Sequence, residues 1–502
     1  MTKLFDHLYH PKTLLIFIGL CAAGFILTLW NRFIYIDDAW FGEQAYWFAQ
    51  HGIPKTETIK DYFKWDEHLL VYHKLNIILG ALIVKIFGWS VNYFRVFTLL
   101  TFLIFIWIFT RYLRSNQQKY GKKQIIVAIF FLFVNPLIIM LGYTYRPEIL
   151  VMAFGFLSWI FLQKGLQVKY FGNNLFIGGL FAGLAFFTHL NGLIFPIAGG
   201  ILLMCHRNLK QLVYFGMGAI VTSLLFFYDL WQPGRLELFF FQLKNWPDPV
   251  GSNYLPSNAL DVVRSVLIKL SQEHQRFFWS EKVWILSVSF FLSLIVFFRT
   301  FRKRHKDLLI YTAALILSLN IFGSHIAERY IIYYLPFMAM IIAIGLSEIE
   351  IGKMTWVRTI FVVLLVAQLF FCGKMIGKIM GKNRDYVAMH DNILSNIPNS
   401  KALTLVDYPF VFNGLVNYNL ISYKAFEYYE VSENIKFDKT SLLLRAQQLG
   451  VKYILITTEK HLVENTYLFE LFDDKSRDFT PYKLIYESEG YLILESLTDN
   501  SL

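Results

Sequence analysis

Eleven apolar runs, most of them near the length a helix needs to cross a bilayer, follow one another through the first three quarters of the chain. They are Thr13 to Trp30, Val91 to Leu113, Gln124 to Leu141, Ile149 to Leu162, Leu175 to His189, Gly192 to Cys205, Leu212 to Asp229, Val283 to Phe298, Leu308 to Gly323, Tyr330 to Leu346 and Trp356 to Cys372. With 56% of its 502 residues apolar and only 17% charged, such a chain would precipitate as a soluble globule. It reads as a polytopic α-helical membrane protein. No small-residue cleavage site follows the first run, which reads as a retained crossing rather than a signal.

The formal charge of +11 does not mark a nucleic-acid partner, because Lys and Arg fall in short clusters between the runs rather than on one amphipathic surface. Basic residues favour the cytoplasmic face of a bilayer. With eleven crossings, Lys3 and Lys12, the Arg111 to Lys123 cluster with Lys119, Lys164 and Lys169, Arg207 and Lys210, and the Arg299 to Lys306 cluster all fall on that face. The same count puts an outer loop at 31–90, a second outer loop at 231–282 and the C-terminal tail on the opposite side. Leu69 to Trp89 is apolar enough to be a twelfth crossing, but that would move the Arg111 to Lys123 cluster outside. It reads instead as a juxtamembrane helix in the outer interface, with Lys74 and Lys85 reaching toward water. Cys21, Cys205 and Cys372 lie far apart in apolar runs, with neither a disulfide framework nor metal-ligand spacing.

From about Gly381 the composition becomes mixed, dividing the chain into a membrane domain, 1–380, and a small extracytoplasmic α/β domain, 381–502. Lys401 to Val406 and Tyr453 to Thr458 read as strands, and Ser441 to Leu449 as a helix stopped by Gly450. Tyr482 to Glu487 and Tyr491 to Glu495 read as a closing hairpin across Ser488 to Gly490. About 120 residues suffice for such a unit to bury its own core.

Groups able to carry chemistry gather at the predicted outer face. Asp37 and Asp38 open the first outer loop in an aromatic setting, followed by Glu43; a helix N-cap is the bland alternative. Tyr72-His73-Lys74 offers a point charge for a phosphate, or a snorkelling lysine. Arg146-Pro147-Glu148, Thr188-His189-Leu190-Asn191-Gly192 and Glu328-Arg329-Tyr330 occupy later outer turns, where Pro147 and Glu148 also suit a simple helix start. Each motif alone is weak. Ionisable groups at several helix ends are costly enough that their convergence on one face points to a site.

The order of these motifs resembles the GT-C superfamily of polyprenyl-phosphate-sugar-dependent glycosyltransferases, in the branch of the protein O-mannosyltransferases and the lipid A aminoarabinose transferase. Asp37, Asp38, Phe41, Glu43, Ala45 and Gly52 match its first-loop pattern, with Asp38 where Glu is usual. His73, Lys74, Phe87 and Gly88 match the juxtamembrane element, with Leu75 and Asn76 replacing two prolines. Arg146-Pro147-Glu148, the Gly183 to Gly192 segment with His189 and Asn191, and Arg329-Tyr330 with Pro336 follow in the same order.

The resemblance implies a GT-C-like enzyme of the plasma (inner) membrane, with its N-terminus cytoplasmic and its active site outside. It would move a sugar from a polyprenyl-phosphate-linked donor to an extracytoplasmic hydroxyl on a lipid, glycan or protein. Breaking the anomeric bond returns negative charge to the phosphate, so the reaction needs a base for the acceptor and cations for the leaving group. Asp37 is assigned as the base, with inversion as the outcome. Asp38, Glu43, His73, Lys74, Arg146, Glu148, His189, Asn191, Arg329 and Tyr330 are assigned to substrate, with Lys74 first among the phosphate-facing cations. Asp37, Asp38 or Glu148 would hold any divalent cation. The rival readings are a transporter or flippase of a lipid-linked saccharide, which calls for polar groups at mid-membrane depth, and an O-antigen ligase or polymerase, whose long arginine-rich loop comes late in the chain.

Overall fold

A computed structural model of the chain describes residues 2–116, 120–167, 172–246, 259–323, 326–352, 354–381, 384–457, 472, 477–488 and 490–497. Lys119, Lys169, Thr458, Glu489 and the 247–258 part of the second loop lie outside these residues.

All eleven apolar runs are helical over most of their length. Among the described residues, six helical stretches are long and apolar enough to cross a membrane by themselves: Pro11–Asn31, Val91–Ser115, Glu148–Gln167, Leu209–Phe227, Trp284–Arg304 and Thr355–Met380. The Gln124 to Leu141 run breaks into Lys122–Phe133 and Pro136–Leu141, because proline lacks the amide to continue a helix and Asn135 caps the new one by accepting from Leu137 N. The Leu69 to Trp89 segment is helical only over Lys74–Phe87. Its 14 residues span about 21 Å, short of the ~30 Å hydrocarbon core. The second loop carries two helices that no apolar run announces, Arg235–Lys244 and the amphipathic Ala259–Phe278.

The Gly172–Thr188 helix packs between Glu148–Gln167 and Leu209–Ser223. Gly179 sets that approach: a Cβ there would lie 2.8 Å from Ala219 N and 3.0 Å from Phe215 C. Gly183, one turn on, faces the same helix, a small-residue seam that brings backbones together where no hydrophobic force distinguishes helix from lipid.

The first loop leaves the helical bundle through two buried arginines. Arg32 donates to Thr28 Oγ1 at 2.9 Å and to the carbonyls of Met140 and Ile139 at 3.1 and 2.5 Å, the open C-terminal end of the Pro136–Leu141 helix. Arg95 Nη2 donates to the carbonyls of Arg32 and Phe33 at 3.0 and 3.1 Å. The chain then enters the Ile36–His51 helix already oriented.

Beyond the last long helix lies a five-stranded mixed sheet of β1 (Thr404–Val406), β2 (Leu420–Ser422), β3 (Tyr453–Thr457), β4 (Tyr482–Ser488) and β5 (Tyr491–Ser496) in the order β2-β1-β3-β5-β4. β1 pairs in parallel with β2 and β3, while β5 runs antiparallel to both β3 and β4. The hairpin and the Lys439–Gln448 helix, capped by Asp438 and ended before Gly450, fall where the sequence places them. β2 does not announce itself, since three residues carry no period. One apolar core joins this sheet to the first loop, with Phe41, Trp65 and Tyr145 in the same cluster as Phe412, Tyr423 and Ile454.

Arg32→Ala should therefore lower stability by about 2–4 kcal/mol, the loss of charge-assisted bonds to buried carbonyls. Thermal unfolding of the detergent-solubilised chain measures it, and a midpoint unchanged from wild type would contradict the anchoring role.

Candidate active site

The Ile36–His51 helix divides its two leading acids by rotation. Asp38, third in the helix and buried, accepts from Tyr35 N at 3.2 Å and Tyr145 N at 2.6 Å, completing a capping box and tying the two loops together. Asp37 faces away from those amides and is ion-paired with Arg146 Nη1. Neither acid is the N-cap, which is Tyr35; Asp38 supports the helix start from its third position, and the functional expectation rests on Asp37.

Arg146 also grips Glu148, the first residue of the next long helix. Its Nε donates to both carboxylate oxygens at 3.1 Å, and its Nη2 donates to Oε1 at 2.8 Å. Arg329 Nε lies 3.6 Å from the same Oε1. Asp37, Arg146, Glu148 and Arg329 therefore form one ionic chain drawn from three distant segments. Its middle is buried, with the Glu148 side chain 1% exposed, while the ends at Asp37 and Arg329 are 30% and 32% exposed.

Rings flank this chain. His73 stacks on His189 with centroids 4.3 Å apart, Phe41 meets His73 edge-on at 4.8 Å, and Tyr330 lies 6.0 Å from His189. His189 Nδ1 accepts from Asn191 N at 2.9 Å, which fixes the ring and shows why Asn191 is buried beside it. Burial pulls His73 down to about 4, against Glu148 and with the help of Arg329, so its ring is neutral at neutral pH.

Two assigned residues stand apart. Glu43, buried one face round the same helix, accepts from Thr58 N at 3.0 Å, Thr58 Oγ1 at 2.6 Å and Tyr408 Oη at 2.6 Å. It clamps the C-terminal sheet domain to the first loop. Lys74 is buried and ion-paired with Asp229, inside the rings of Tyr72, Phe226 and Tyr228. Asp229 had gone unnoticed at the end of an apolar run. Its signal was a lone acid at the exit of one run and a lone lysine at the entry of another. The carboxylates named for a divalent cation do not fit one: Asp38 is taken by amides, Asp37 and Glu148 share an arginine, and no trio of His, Cys, Asp or Glu converges among the described residues.

The model of glycosyltransferase family 87 matches residues 78–324, just under half of the chain. That stretch contains Arg146, Glu148, His189 and Asp229 but neither Asp37 nor Arg329. No curated protein matches by sequence. Among solved structures, ArnT from Cupriavidus metallidurans bound to undecaprenyl phosphate superposes with a TM-score of 0.59 at 13% identity, over 97% of this chain and 98% of that one. The Archaeoglobus fulgidus oligosaccharyltransferase tethered to an acceptor peptide gives 0.54 at 14% identity, over 91% and 70%. The same organism's AglB with an inhibitory peptide and dolichol-phosphate gives 0.52 at 12% identity over the same shares. The chain has the GT-C fold, as the resemblance implied. Together with the family match, that fold supports a membrane glycosyltransferase.

Burial raises Glu43 from the ordinary 4.5 to about 7, against the bonds it accepts, so the folded chain holds a proton there that the unfolded chain has released. Its contribution to stability is full below about pH 4.5 and is lost as pH rises through about 7. Asp407, also raised to about 7 by burial, acts with the same sign. Glu43→Gln should flatten the fall in stability between pH 5 and 8 by up to about 1.4 kcal/mol per pH unit while leaving the Asp407 part. Equal slopes in melts of the two proteins across that range would count against the clamp.

Proposed function

We propose that this chain transfers a sugar from a polyprenyl-phosphate-linked donor to a hydroxyl acceptor on the extracytoplasmic side of the plasma (inner) membrane, inverting the anomeric centre. In this reading eleven crossings put the N-terminus in the cytoplasm and the Asp37 site and C-terminal domain, 381–502, outside. The observation that carries it is the ionic chain from Asp37 through Arg146 and Glu148 to Arg329, built from separate segments and partly exposed at its acidic and basic ends. The lipid phosphates held by ArnT and AglB in their solved structures support the donor class.

Asp37 accepts the proton of the attacking hydroxyl, with Arg146 fixing its Oδ2 so that Oδ1 faces the acceptor. The acceptor oxygen bonds to the anomeric carbon as the carbon–oxygen bond to phosphate breaks, and the electron pair leaves on the phosphate. Lys74 meets that developing charge, with Arg329 as the second cation. His73, His189, Asn191 and Tyr330 shape the sugar pocket. A transporter of the same saccharide would need charge at mid-membrane depth, and the long helices carry their ionisable groups mainly at their ends.

Asp37→Asn should keep the fold and cut transfer at least about a hundredfold, the scale of general base catalysis. Release of lipid phosphate from a radiolabelled polyprenyl-phosphate sugar, followed with purified wild type and variant, checks it. Undiminished turnover in the variant would remove Asp37 as the base.

A further inference from the structure

Lys74 is adjacent to His73, so its backbone lies within about 4 Å of the site just described, yet its ammonium is buried in a separate cluster. There Asp229 is its counter-ion. Tyr72 Oη donates to Asp229 Oδ2 at 2.9 Å and shares a 2.8 Å bond with Tyr228 Oη. Arg235, at the start of the Arg235–Lys244 helix, donates from Nη1 to the Asp229 carbonyl at 3.2 Å. Lys74 thus meets the Asp229 carboxylate and Arg235 its main-chain carbonyl, two cations beside one acid. The rings of Tyr72, Phe226 and Tyr228, with centroids 4.7, 4.9 and 5.5 Å from Nζ, hold the ammonium in place.

Such a cluster is a ready anion site whose first occupant is part of the chain. A carboxylate and a phosphate offer the same thing to an ammonium, two or more acceptor oxygens and negative charge, but a phosphate monoester carries up to twice the charge. The surplus cation, Arg235, has no acid of its own among these groups. Lys74 is fully buried, and Tyr228, 41% exposed, is the member of this cluster that reaches the surface.

We propose that Asp229 competes with the lipid phosphate for Lys74, so that the phosphate displaces it and ends between Lys74, Arg235 and the two tyrosine hydroxyls. The proposal rests on the reading that the substrate is a lipid phosphate. It makes Asp229 a positioning residue that sets how tightly the spent carrier is held, because each phosphate that leaves is replaced at Lys74 by the chain's own carboxylate.

The test is equilibrium binding of a polyprenyl phosphate to the full chain in nanodiscs, with inorganic phosphate as the parallel arm. Asp229→Asn should tighten polyprenyl phosphate about tenfold, the effect of removing a competing charge. The double variant with Lys74→Gln should lose that gain and bind more weakly than wild type. Unchanged or weaker binding by a folded Asp229→Asn protein overturns the proposal, as does tightening confined to inorganic phosphate. Should that variant not fold, Arg235→Gln supplies the decision: about fivefold weaker binding supports the site, and unaltered affinity overturns it. Failure of wild type and every variant to bind the lipid would instead sink the glycosyltransferase reading itself.

Discussion

A buried carboxylate governs how this fold is assembled. Glu148 begins a long helix with its side chain out of reach of solvent, and an isolated charge in such a place is tolerated only when it is paired and hydrogen-bonded. Arg146 supplies three bonds from two residues away, but Arg329 has to arrive from far along the chain. Satisfying Glu148 therefore brings the late Glu328–Tyr333 turn against the early Arg146 turn. Arg146 in turn reaches Asp37, which brings in the first loop. The two acids and two bases sum to zero charge, so the chain is stable at rest, while its partly exposed ends can still exchange partners.

The first loop is held on its other side by a different device. Asp38 fixes its helix to Tyr145, Arg32 and Arg95 fix its entrance, and Glu43 fixes it to Tyr408 in the segment following β1. A helix carrying the acid proposed to react is thus constrained on several faces. This is what positioning to within a fraction of an ångström requires, and it explains why residues with catalytic-looking chemistry serve as struts.

Much of this was legible in the sequence, for reasons that differ by element. Membrane-length helices are visible because about 20 apolar residues have few other uses, and the break at Asn135-Pro136 is written in residue types. Asp37, Arg146, Glu148, His189 and Arg329 were legible through the order of five motifs on one predicted face. The partition between Asp37 and Asp38 was not, since adjacent acids differ only in the rotation of a helix whose register is set by tertiary contacts. Nor was Asp229, because the pairing spans 155 positions and an ion pair leaves no periodic trace. The second-loop helices escaped because an amphipathic segment has no apolar run, and β2 because three residues fall below any period.

The placement of His73 and Lys74 on consecutive residues links the two charge clusters. One side chain enters the neutral ionic chain and the other the surplus-positive pocket at Asp229 and Arg235. Bond breaking at a sugar phosphate separates charge, leaving positive character on the sugar and negative on the phosphate. A single pocket cannot favour both, because a field that stabilises one destabilises the other. Two adjoining clusters can, and in the proposed reaction the acid Asp37 lies on the side where a proton is taken and the cations Lys74 and Arg235 on the side where negative charge is received. In a low dielectric that division is worth far more than the same groups would give in water, which is a physical reason to bury Lys74 at all.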